Sequence, residues 1–308
     1  MVGQETAELK SKIMKLKQLI RICGMLLAAG MAACDTDMEP VGQRIEKPAE
    51  QAPAAWAAYM EALAAYKAAD HYTVYARFDN NIGEVISEKN SLRSMPDSLD
   101  IVALVNPLSD YDREDLQVVW KKSTKVLLTA DCSDPATAVE AVDKALAAID
   151  VDGLDGIVLR YAEVVTHESE TAAAAIAAKL DGIGDRMLVF EGNASFAALV
   201  GKERFTWFVL DVSAAETVFS LRSEVDFTVD YLGIPARKIL PATTPSATIA
   251  DALLEEVPAL AEVARCVMAY GPLGGIAVHD VATDYYDALT IYPRTKEAIH
   301  ILNPAYTE

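Results

Sequence analysis

The feature that most constrains the fold of this chain is a regular alternation of short apolar strands with helical segments. Eight runs rich in β-branched and other apolar residues predict strands at residues 71–78, 98–106, 125–131, 153–161, 187–191, 205–211, 237–242 and 275–279. Apolar residues at helical spacing predict helices at residues 53–70, 112–121, 135–149, 168–180, 247–269 and 292–303. Eight strands over about 240 residues, most followed by a helix, predict an α/β fold, a single-domain (β/α)8 TIM barrel.

An open doubly wound sheet is the alternative to the barrel. Such a sheet usually carries a glycine-rich phosphate-binding turn after its first strand. Here the first predicted strand runs into Asp79, Asn80 and Asn81 without a GxGxxG pattern. The barrel is therefore the favoured fold, and its site is expected where the strands reach their C-terminal ends.

Residues 1–33 are predicted to be an export signal. A basic stretch precedes an apolar run of about a dozen residues, which is shorter than the ~20 needed to span a bilayer. Translation starts at Met1 or at Met14, since either leaves a basic segment. Met31-Ala32-Ala33-Cys34 resembles a bacterial lipobox, which implies cleavage before Cys34 and lipidation of its thiol. An ordinary secretory signal cut nearby is the alternative, and both export the protein.

The segment after the signal predicts a tether. Residues 34–54 contain the lipidated Cys34, an acidic stretch at 35–39 and three prolines, without an apolar period. The acidic stretch resembles the surface-export signal of Bacteroidetes lipoproteins, and a plain solvated linker is the other interpretation. The expected organisation is a signal at 1–33, a linker at 34–54 and a barrel at 55–308. The expected location is the outer membrane, at the cell surface.

The composition excludes several classes of function. A net charge of −19 argues against nucleic acid and against a basic membrane-binding patch, because both require clustered Lys and Arg. The four cysteines form no disulfide framework, and we expect Cys132 and Cys266 to be small buried residues rather than a pair. Neither a CxxC nor an HExxH motif is present, so no metal and no cofactor is predicted.

The most informative motif lies on the fourth predicted strand, Asp152-Gly153-Leu154-Asp155-Gly156-Ile157-Val158-Leu159. It resembles glycoside hydrolase family 18, whose fourth strand ends in Asp-Gly-x-Asp-x-Asp-x-Glu. Asp152, Gly153 and Asp155 match the motif. Residues 71–80, 274–275, 292–294, 298–299 and 303–304 are similar to the Bacteroidetes branch of that family, which contains endo-β-N-acetylglucosaminidases and related lipoproteins. The resemblance covers residues 55–304 and implies a barrel.

Two departures from the family motif bear on activity. On this alignment Ile157 stands at the third Asp and Leu159 at the catalytic Glu. In the family the Glu protonates the leaving oxygen while the substrate's N-acetyl carbonyl attacks, and the Asp orients that group. An aliphatic side chain performs neither role, so no catalytic residue is predicted. Glu163, four residues further on, is the candidate for a relocated acid.

Polar residues at or near strand ends are the candidates for glycan contacts: Asn106, Asp155, Tyr161, Asn193, Asp211, His279, Asp284 and Tyr285. Each also has a structural interpretation. Asp155 would hydrogen-bond neighbouring strands, His279 would be a satisfied structural histidine, and Tyr285 would pack on the closing helix.

The resulting expectation is a non-catalytic exported lipoprotein that binds an N-acetylglucosamine-containing glycan and has protein partners in a glycan-uptake system. A hydrolase using Glu163, Glu191 or Asp211 is the first alternative. A retaining pair of carboxylates would lie ~5–5.5 Å apart and an inverting pair ~6.5–9.5 Å apart. A barrel that serves as a protein-interaction module is the second alternative.

Overall fold

The computed structural model describes residues 48–80 and 87–304, and the chain divides into two units, residues 1–53 and 54–308. The predicted signal 1–33, the lipidation site Cys34 and the linker up to residue 47 lie outside the described residues. Their boundaries stay predictions. The described part of the first unit contains a short helix, α1 (Pro48–Gln51), and the first residue of α2 (Pro53–Ala68).

Eight parallel strands close into a barrel, which confirms the predicted fold. The described residues contain ten strands: β1 (Thr73–Phe78), β2 (Ile101–Leu104), β3 (Lys125–Asp131), β4 (Gly156–Tyr161), β5 (Met187–Gly192), β6 (Trp207–Asp211), β7 (Ile239–Thr243), β8 (Thr248–Ala250), β9 (Glu256–Pro258) and β10 (Gly275–Val278). The barrel order is β1-β10-β7-β6-β5-β4-β3-β2, while β8 and β9 form a separate antiparallel pair. All eight predicted strands are present, with small shifts at their ends.

Helices surround the barrel strands: α3 (Asp110–Lys121), α4 (Ala138–Asp152), α5 (His167–Leu180), α6 (Ala194–Val200), α7 (Val218–Asp226), α8 (Ala259–Tyr270) and α9 (Pro293–Leu302). A π turn, Phe227–Tyr231, extends α7. Short 3-10 turns occur at Glu88–Asn90, Leu92–Ser94, Lys202–Arg204, Ala236–Lys238 and Val281–Asp284. Within the described part of the chain, each helix is too short or too polar to cross a bilayer.

The predicted helix at 247–269 is wrong in its first half, and α6 and α7 were not predicted. The β8–β9 hairpin occupies the stretch before α8. The carboxylate of Asp251 accepts the backbone N–H groups of Leu253 and Glu255, which fixes the hairpin turn. Pro258 then lies immediately before the helix, where its missing N–H costs little.

Two apolar cores lie on opposite sides of the barrel wall. The barrel interior is filled by Tyr75, Ile101, Ala103, Leu127, Val158, Val189, Val209, Leu240, Ala242 and Ala277. The larger core packs the outer strand faces against the helices and includes Ile157 and Leu159. Because neighbouring residues of a strand point to opposite faces, these sets fix which side chains reach the barrel axis. Burial of each aliphatic side chain contributes about 1.5–3 kcal/mol to folding.

Candidate functional site at the barrel mouth

The orientation of β4 corrects the predicted site. Ile157 and Leu159 are fully buried, but they face the helices and not the barrel interior. The interior face of β4 carries Val158 and, at the strand end, Arg160. The two aliphatic residues are core residues and do not stand at a degenerate catalytic position.

A tandem Asp-Gly repeat explains the error in register. Asp152 and Gly153 end α4: Gly153 adopts φ 72° and its N–H donates to the Ile149 carbonyl at 2.9 Å. The second Asp-Gly pair, Asp155-Gly156, leads directly into β4. A side chain at residue 156 would collide with the Met187 carbonyl on β5, so only glycine fits.

Aligning the family motif on the second pair places Val158, Arg160 and Ala162 at its three acidic positions. Val158 and Arg160 then face the barrel interior, as the catalytic chemistry of the motif requires. Ala162 follows the strand. We call the C-terminal ends of the eight barrel strands the mouth. On this register β4 presents no carboxylate to the mouth. Its only charged group there is a guanidinium.

Charged side chains at the mouth form a connected group, which we call the mouth cluster: Arg77, Asp131, Arg160, Glu191, His279 and Asp280. Glu191, on β5, lies at its centre with a side chain only 4% exposed. Arg77 Nη1 donates to Glu191 Oε1 at 2.6 Å, and Arg160 Nε lies 3.4 Å from the same oxygen. The Tyr75 hydroxyl donates to the other oxygen, Oε2, at 3.3 Å. Both Glu191 oxygens are thus engaged by residues of the chain itself.

The outer part of the mouth cluster is open to solvent. Arg160 Nη1 donates to Asp131 at 2.6 Å, and Arg77 Nη2 lies 3.5 Å from Asp280. The side chains of Asp131 and Asp280 are 53% and 52% exposed. Hydrogen bonds from Ser133 and the charge of Arg160 outweigh the effect of burial and hold the pKa of Asp131 below its usual range. The Asp131 carboxylate is therefore ionised at neutral pH.

A pocket of about 240 Å³ opens among these side chains. It is lined by Arg77, Asp79, Val105, Thr129, Asp131, Arg160 and Asp280. The Thr129 hydroxyl, on the interior face of β3, is buried without a hydrogen-bond partner. An unsatisfied buried hydroxyl costs roughly 1–3 kcal/mol, so it marks a place where a ligand group could bind.

His279 and Asp211 lie at the mouth, as predicted. His279 is 2% exposed, and its Nε2 has no hydrogen-bond partner and lies 3.8 Å from Glu191 Oε1. Burial lowers the pKa of His279, so the imidazole is neutral at neutral pH. Burial acts to raise the pKa of Asp211, but hydrogen bonds from Ser213 and the neighbouring His279 and Arg77 lower it overall. The prediction of a fully satisfied structural histidine is not met.

Asp155 was predicted to contact glycan, and the structure places it at the opposite end of the barrel. It precedes β4, so it lies where the strands begin. Its carboxylate accepts hydrogen bonds from Trp120 Nε1 at 3.1 Å, Lys125 Nζ at 2.9 Å and the Val126 N–H at 2.9 Å. Asp155 therefore joins β3, β4 and α3, which is the structural interpretation of this residue.

Three more predicted contact residues are structural. Tyr161 is 1% exposed, stacks on Phe196 at 4.0 Å and donates to the Val164 carbonyl. Asp284 accepts the N–H and hydroxyl of Thr295, each at 2.8 Å, and so holds the start of α9. Tyr285 is 6% exposed and donates to Glu88 Oε2 at 2.5 Å. Buried rings of this kind offer no stacking face to a sugar.

Asn106 and Asn193 follow strands at the mouth end, but their side chains serve the loops. Asn106 Nδ2 donates to Asp79 at 2.6 Å and to the Asn80 carbonyl at 2.8 Å. Asn193 caps α6 by accepting the Ser195 N–H, and its Nδ2 donates to the Glu163 carbonyl at 3.1 Å. Neither side chain lines the mouth pocket, although Asn106 holds Asp79, which does.

Glu163 does not take the place of the missing acid. It is exposed in the loop after β4 and lines a separate groove between the starts of α4 and α5. Among the described residues, no group of His, Cys, Asp and Glu side chains could hold a metal ion. Cys132 and Cys266 are free, as predicted.

Sequence reasoning missed the two arginines at the mouth, Arg77 and Arg160. Each is the single charged side chain within an otherwise apolar or aromatic strand. A lone charge in a parallel strand that is buried on both faces requires a buried partner. Because the outer face of the strand packs under helices, the charge is expected on the face that points into the barrel. That signal would have identified the interior face of β4 without the family motif.

Comparisons with known proteins agree with this architecture. Residues 36–131 match the family model described as "Glycoside hydrolase family 18, BT1044-like". A solved structure of BT1044 with a Glu-to-Gln substitution is similar at 18% identity and TM-score 0.64, covering 84% of this chain and 96% of that one. No curated protein matches the chain.

Two further solved structures share the fold. One is a variant of the endo-β-N-acetylglucosaminidase from Cordyceps militaris in complex with fucosyl-N-acetylglucosamine-Asn (16% identity, TM-score 0.59, 80% of this chain and 96% of that one). The other is a family 18 chitinase from Pseudoalteromonas aurantia (12% identity, TM-score 0.55, 75% of this chain and 100% of that one).

The closed barrel of eight parallel strands defines the class of protein, a (β/α)8 barrel. Residues 36–131 are similar to glycoside hydrolase family 18, and the fourth strand of the barrel carries an arginine at the mouth.

Proposed function

We propose that this protein is a non-catalytic glycan-binding protein that holds an N-acetylglucosamine-containing oligosaccharide at the barrel mouth. The observation that carries the proposal is the interior face of β4, which ends in Val158 and Arg160. On this register Ala162 stands at the position of the proton-donating Glu and Arg160 at that of the orienting Asp, and neither a methyl group nor a guanidinium donates a proton to a leaving oxygen. Loss of general acid catalysis alone typically lowers a rate by ~10²–10⁴-fold.

Among the residues that the structure describes, Glu191 is the one buried acid at the mouth, and its contacts disfavour a role as proton donor. Its two oxygens face Arg77, Arg160 and the Tyr75 hydroxyl. A general acid must instead direct a proton at the substrate oxygen from within hydrogen-bond distance. The arrangement of Glu191 is that of a buried counter-ion, which orients two arginine side chains.

The mouth retains what sugar binding requires. Sugar hydroxyls both donate and accept hydrogen bonds, and the pocket is lined by carboxylates, guanidinium groups and a free hydroxyl. The complex of the Cordyceps militaris enzyme with fucosyl-N-acetylglucosamine-Asn supports N-acetylglucosamine as the sugar class. Binding at such a mouth needs no bond cleavage.

A hydrolase with a relocated acid is the second candidate function. The observation that favours it is the placement of buried Glu191 beside His279, whose Nε2 lacks a partner. Glu191 Oε1 lies 3.8 Å from that imidazole nitrogen, and a general acid at this place would need the glycosidic oxygen within hydrogen-bond distance. Glu163, in the exposed loop, supports no such reaction.

We also propose that the protein is exported and anchored at the outer membrane, at the cell surface, by lipid on Cys34, with protein partners from a glycan-uptake system. The lipobox-like Met31-Ala32-Ala33-Cys34 sequence and the acidic residues after it support this. Fractionation of cells expressing the protein tests it: the native chain should partition with membranes and the Cys34→Ala variant should not. Labelling with palmitate should follow the same pattern, and an unlabelled, soluble native chain would refute the anchor.

The binding proposal is tested by isothermal titration with N-acetylglucosamine oligosaccharides alongside a hydrolysis assay on N-glycoproteins. Binding without sugar release is expected. Arg160→Met should abolish or strongly weaken binding, whereas Arg186→Met should not. Arg186 is the matched control, since it pairs with Asp150 at 2.8 Å on the loop before β5, at the opposite end of the barrel.

Three results would overturn the binding proposal. Sugar release that is lost in Glu191→Gln would favour the hydrolase. Silence in both assays would favour a protein-interaction module. Equal binding by Arg160→Met and the native protein would place the glycan elsewhere.

A further inference from the structure

The charges at the mouth indicate which kind of sugar would bind there. Among the described residues, five carboxylates lie there, Asp79, Asp131, Glu191, Asp211 and Asp280, against two guanidinium groups, Arg77 and Arg160. His279 adds no charge because its imidazole is neutral. The mouth therefore carries an excess of negative charge, within a chain whose net charge is −19.

The carboxylates differ in how strongly the arginines hold them. Glu191 and Asp131 each contact an arginine at 2.6 Å, so their charges are compensated. Asp280 lies 3.5 Å from Arg77 and is half exposed. Asp79 accepts from the neutral amide of Asn106, and Asp211 accepts from the Ser213 N–H. Among the described residues, Asp79 and Asp211 thus have no ion-pair partner, and Asp280 has only the long contact with Arg77.

A second observation points independently to a ligand at this place. His279 alternates with Ala277 of the barrel interior, so its ring faces inward at the mouth. It is 2% exposed, and its Nε2 has no hydrogen-bond partner. The Thr129 hydroxyl in the pocket wall is likewise unpartnered. Buried polar atoms without partners are uncommon and call for a missing group.

We propose that the mouth binds a glycan bearing a free amine, a chain in which some N-acetylglucosamine units are de-N-acetylated. The protonated amine would lie between Asp79 and Asp280, which both line the pocket, and ring hydroxyls would meet Thr129 and His279. This inference rests on the proposed glycan-binding function and names its ligand class. An acetamido group offers these carboxylates a neutral N–H but no charge, whereas an acidic sugar would be repelled by them.

Isothermal titration with three tetrasaccharides of equal length tests this proposal on the full chain. The probes are β-1,4-linked glucosamine, its fully N-acetylated form and a uronate-containing chain. The glucosamine chain should bind about tenfold more tightly than the acetylated chain, and the uronate chain should bind least. The preference should shrink on raising the salt concentration, because screening weakens partly exposed charges.

Asp280→Asn is the informative variant. Asp280 has φ 49°, a conformation that asparagine adopts readily, so the fold is retained. The variant should weaken binding of the glucosamine chain about fivefold and binding of the acetylated chain by less, so that the preference between the two chains shrinks. Asp150→Asn removes the same charge from the opposite end of the barrel and should change neither affinity beyond about twofold.

The outcomes separate this inference from the function on which it rests. Equal or tighter binding of the acetylated chain, insensitive to Asp280→Asn, overturns the amine preference and leaves glycan binding intact. An oligolysine peptide that binds as well as the glucosamine chain, with the same loss in Asp280→Asn, overturns the glycan as the ligand. Absence of binding to all three tetrasaccharides overturns both proposals.

Discussion

The two ends of the barrel use the same kinds of charged residue in different ways. At the end where the strands begin, Asp155 accepts three hydrogen bonds, from Trp120, Lys125 and Val126, and its capacity is filled. At the mouth, His279 and Thr129 have buried polar atoms without partners, and Asp280 is half exposed. A closed network serves stability alone, whereas a network with unused donors and acceptors can also bind a ligand.

Substitution of Glu191 should have the largest effect on stability, because Glu191 is the buried counter-ion at the centre of the mouth cluster. Glu191→Gln leaves Arg77 and Arg160 without their buried counter-ion, and we expect a loss of about 3 kcal/mol in the free energy of unfolding. Urea denaturation would measure it. Glu163→Gln, the same chemical change in an exposed loop, should cost less than about 0.5 kcal/mol. Equal stability of the two variants would show that the Glu191 contacts contribute little.

Asp155→Asn probes the closed end. The amide keeps one acceptor oxygen and loses the charge that pairs with Lys125. If its oxygen replaces Oδ2, Trp120 and Val126 keep their acceptor and Lys125 faces an NH₂ group, whereas in the other orientation both Trp120 and Val126 face that group. We expect a loss of about 2 kcal/mol in the free energy of unfolding and unchanged glycan affinity.

Asp150→Asn is the control for this variant, since Asp150 is 75% exposed and pairs only with Arg186 in the described structure. It should be nearly neutral in thermal unfolding. A fall in glycan affinity in Asp155→Asn, without a matching loss of stability, would contradict the division between the two ends.

The success of fold prediction and the failure at β4 have different physical causes. Strands buried on both faces, such as β3, give long apolar runs that composition reveals directly. The same burial hides which face points inward, because both faces are apolar. The tandem pairs Asp152-Gly153 and Asp155-Gly156 then offered two registers for one motif, and only the helix-ending φ of Gly153 distinguishes them.

The other misses also follow from local chemistry. The stretch 247–257 is rich in helix-forming Ala, Leu and Glu, yet hydrogen bonds to Asp251 select a hairpin turn. Asp284 and Tyr285 are polar residues after a strand, as a site would be, but their partners Thr295 and Glu88 come from distant parts of the sequence. Contacts of that separation are not readable from local spacing.

Titration offers a further test of the closed end. The Lys67 Nζ donates to the Leu99 carbonyl and to Thr124 Oγ1, each at 2.6 Å, and burial lowers the pKa of Lys67 from 10.5 to about 8. Between pH 8 and 10.5 the unfolded chain holds this proton and the folded chain has released it. Raising the pH through this window therefore favours the folded state.

We expect this gain to reach about 1–2 kcal/mol after solvent screening. Lys67→Met lacks this group. The free energy of unfolding of the native protein, minus that of Lys67→Met, should therefore rise between pH 8 and 10. Using the difference cancels the tyrosine ionisations common to both proteins. A constant difference across this window would show that Lys67 is better solvated than its contacts imply.

His279→Leu should have the smallest effect on stability and a clear effect on binding, which is the sharpest contrast with Asp155. Removing a buried nitrogen that lacks a partner relieves an unsatisfied polar group, so the free energy of unfolding should stay constant or rise by up to about 1 kcal/mol. Glycan affinity should fall, because the inward-facing donor or acceptor is gone. A loss of stability near that of Asp155→Asn would show that His279 is a scaffold residue. The mouth would then be as closed as the opposite end of the barrel.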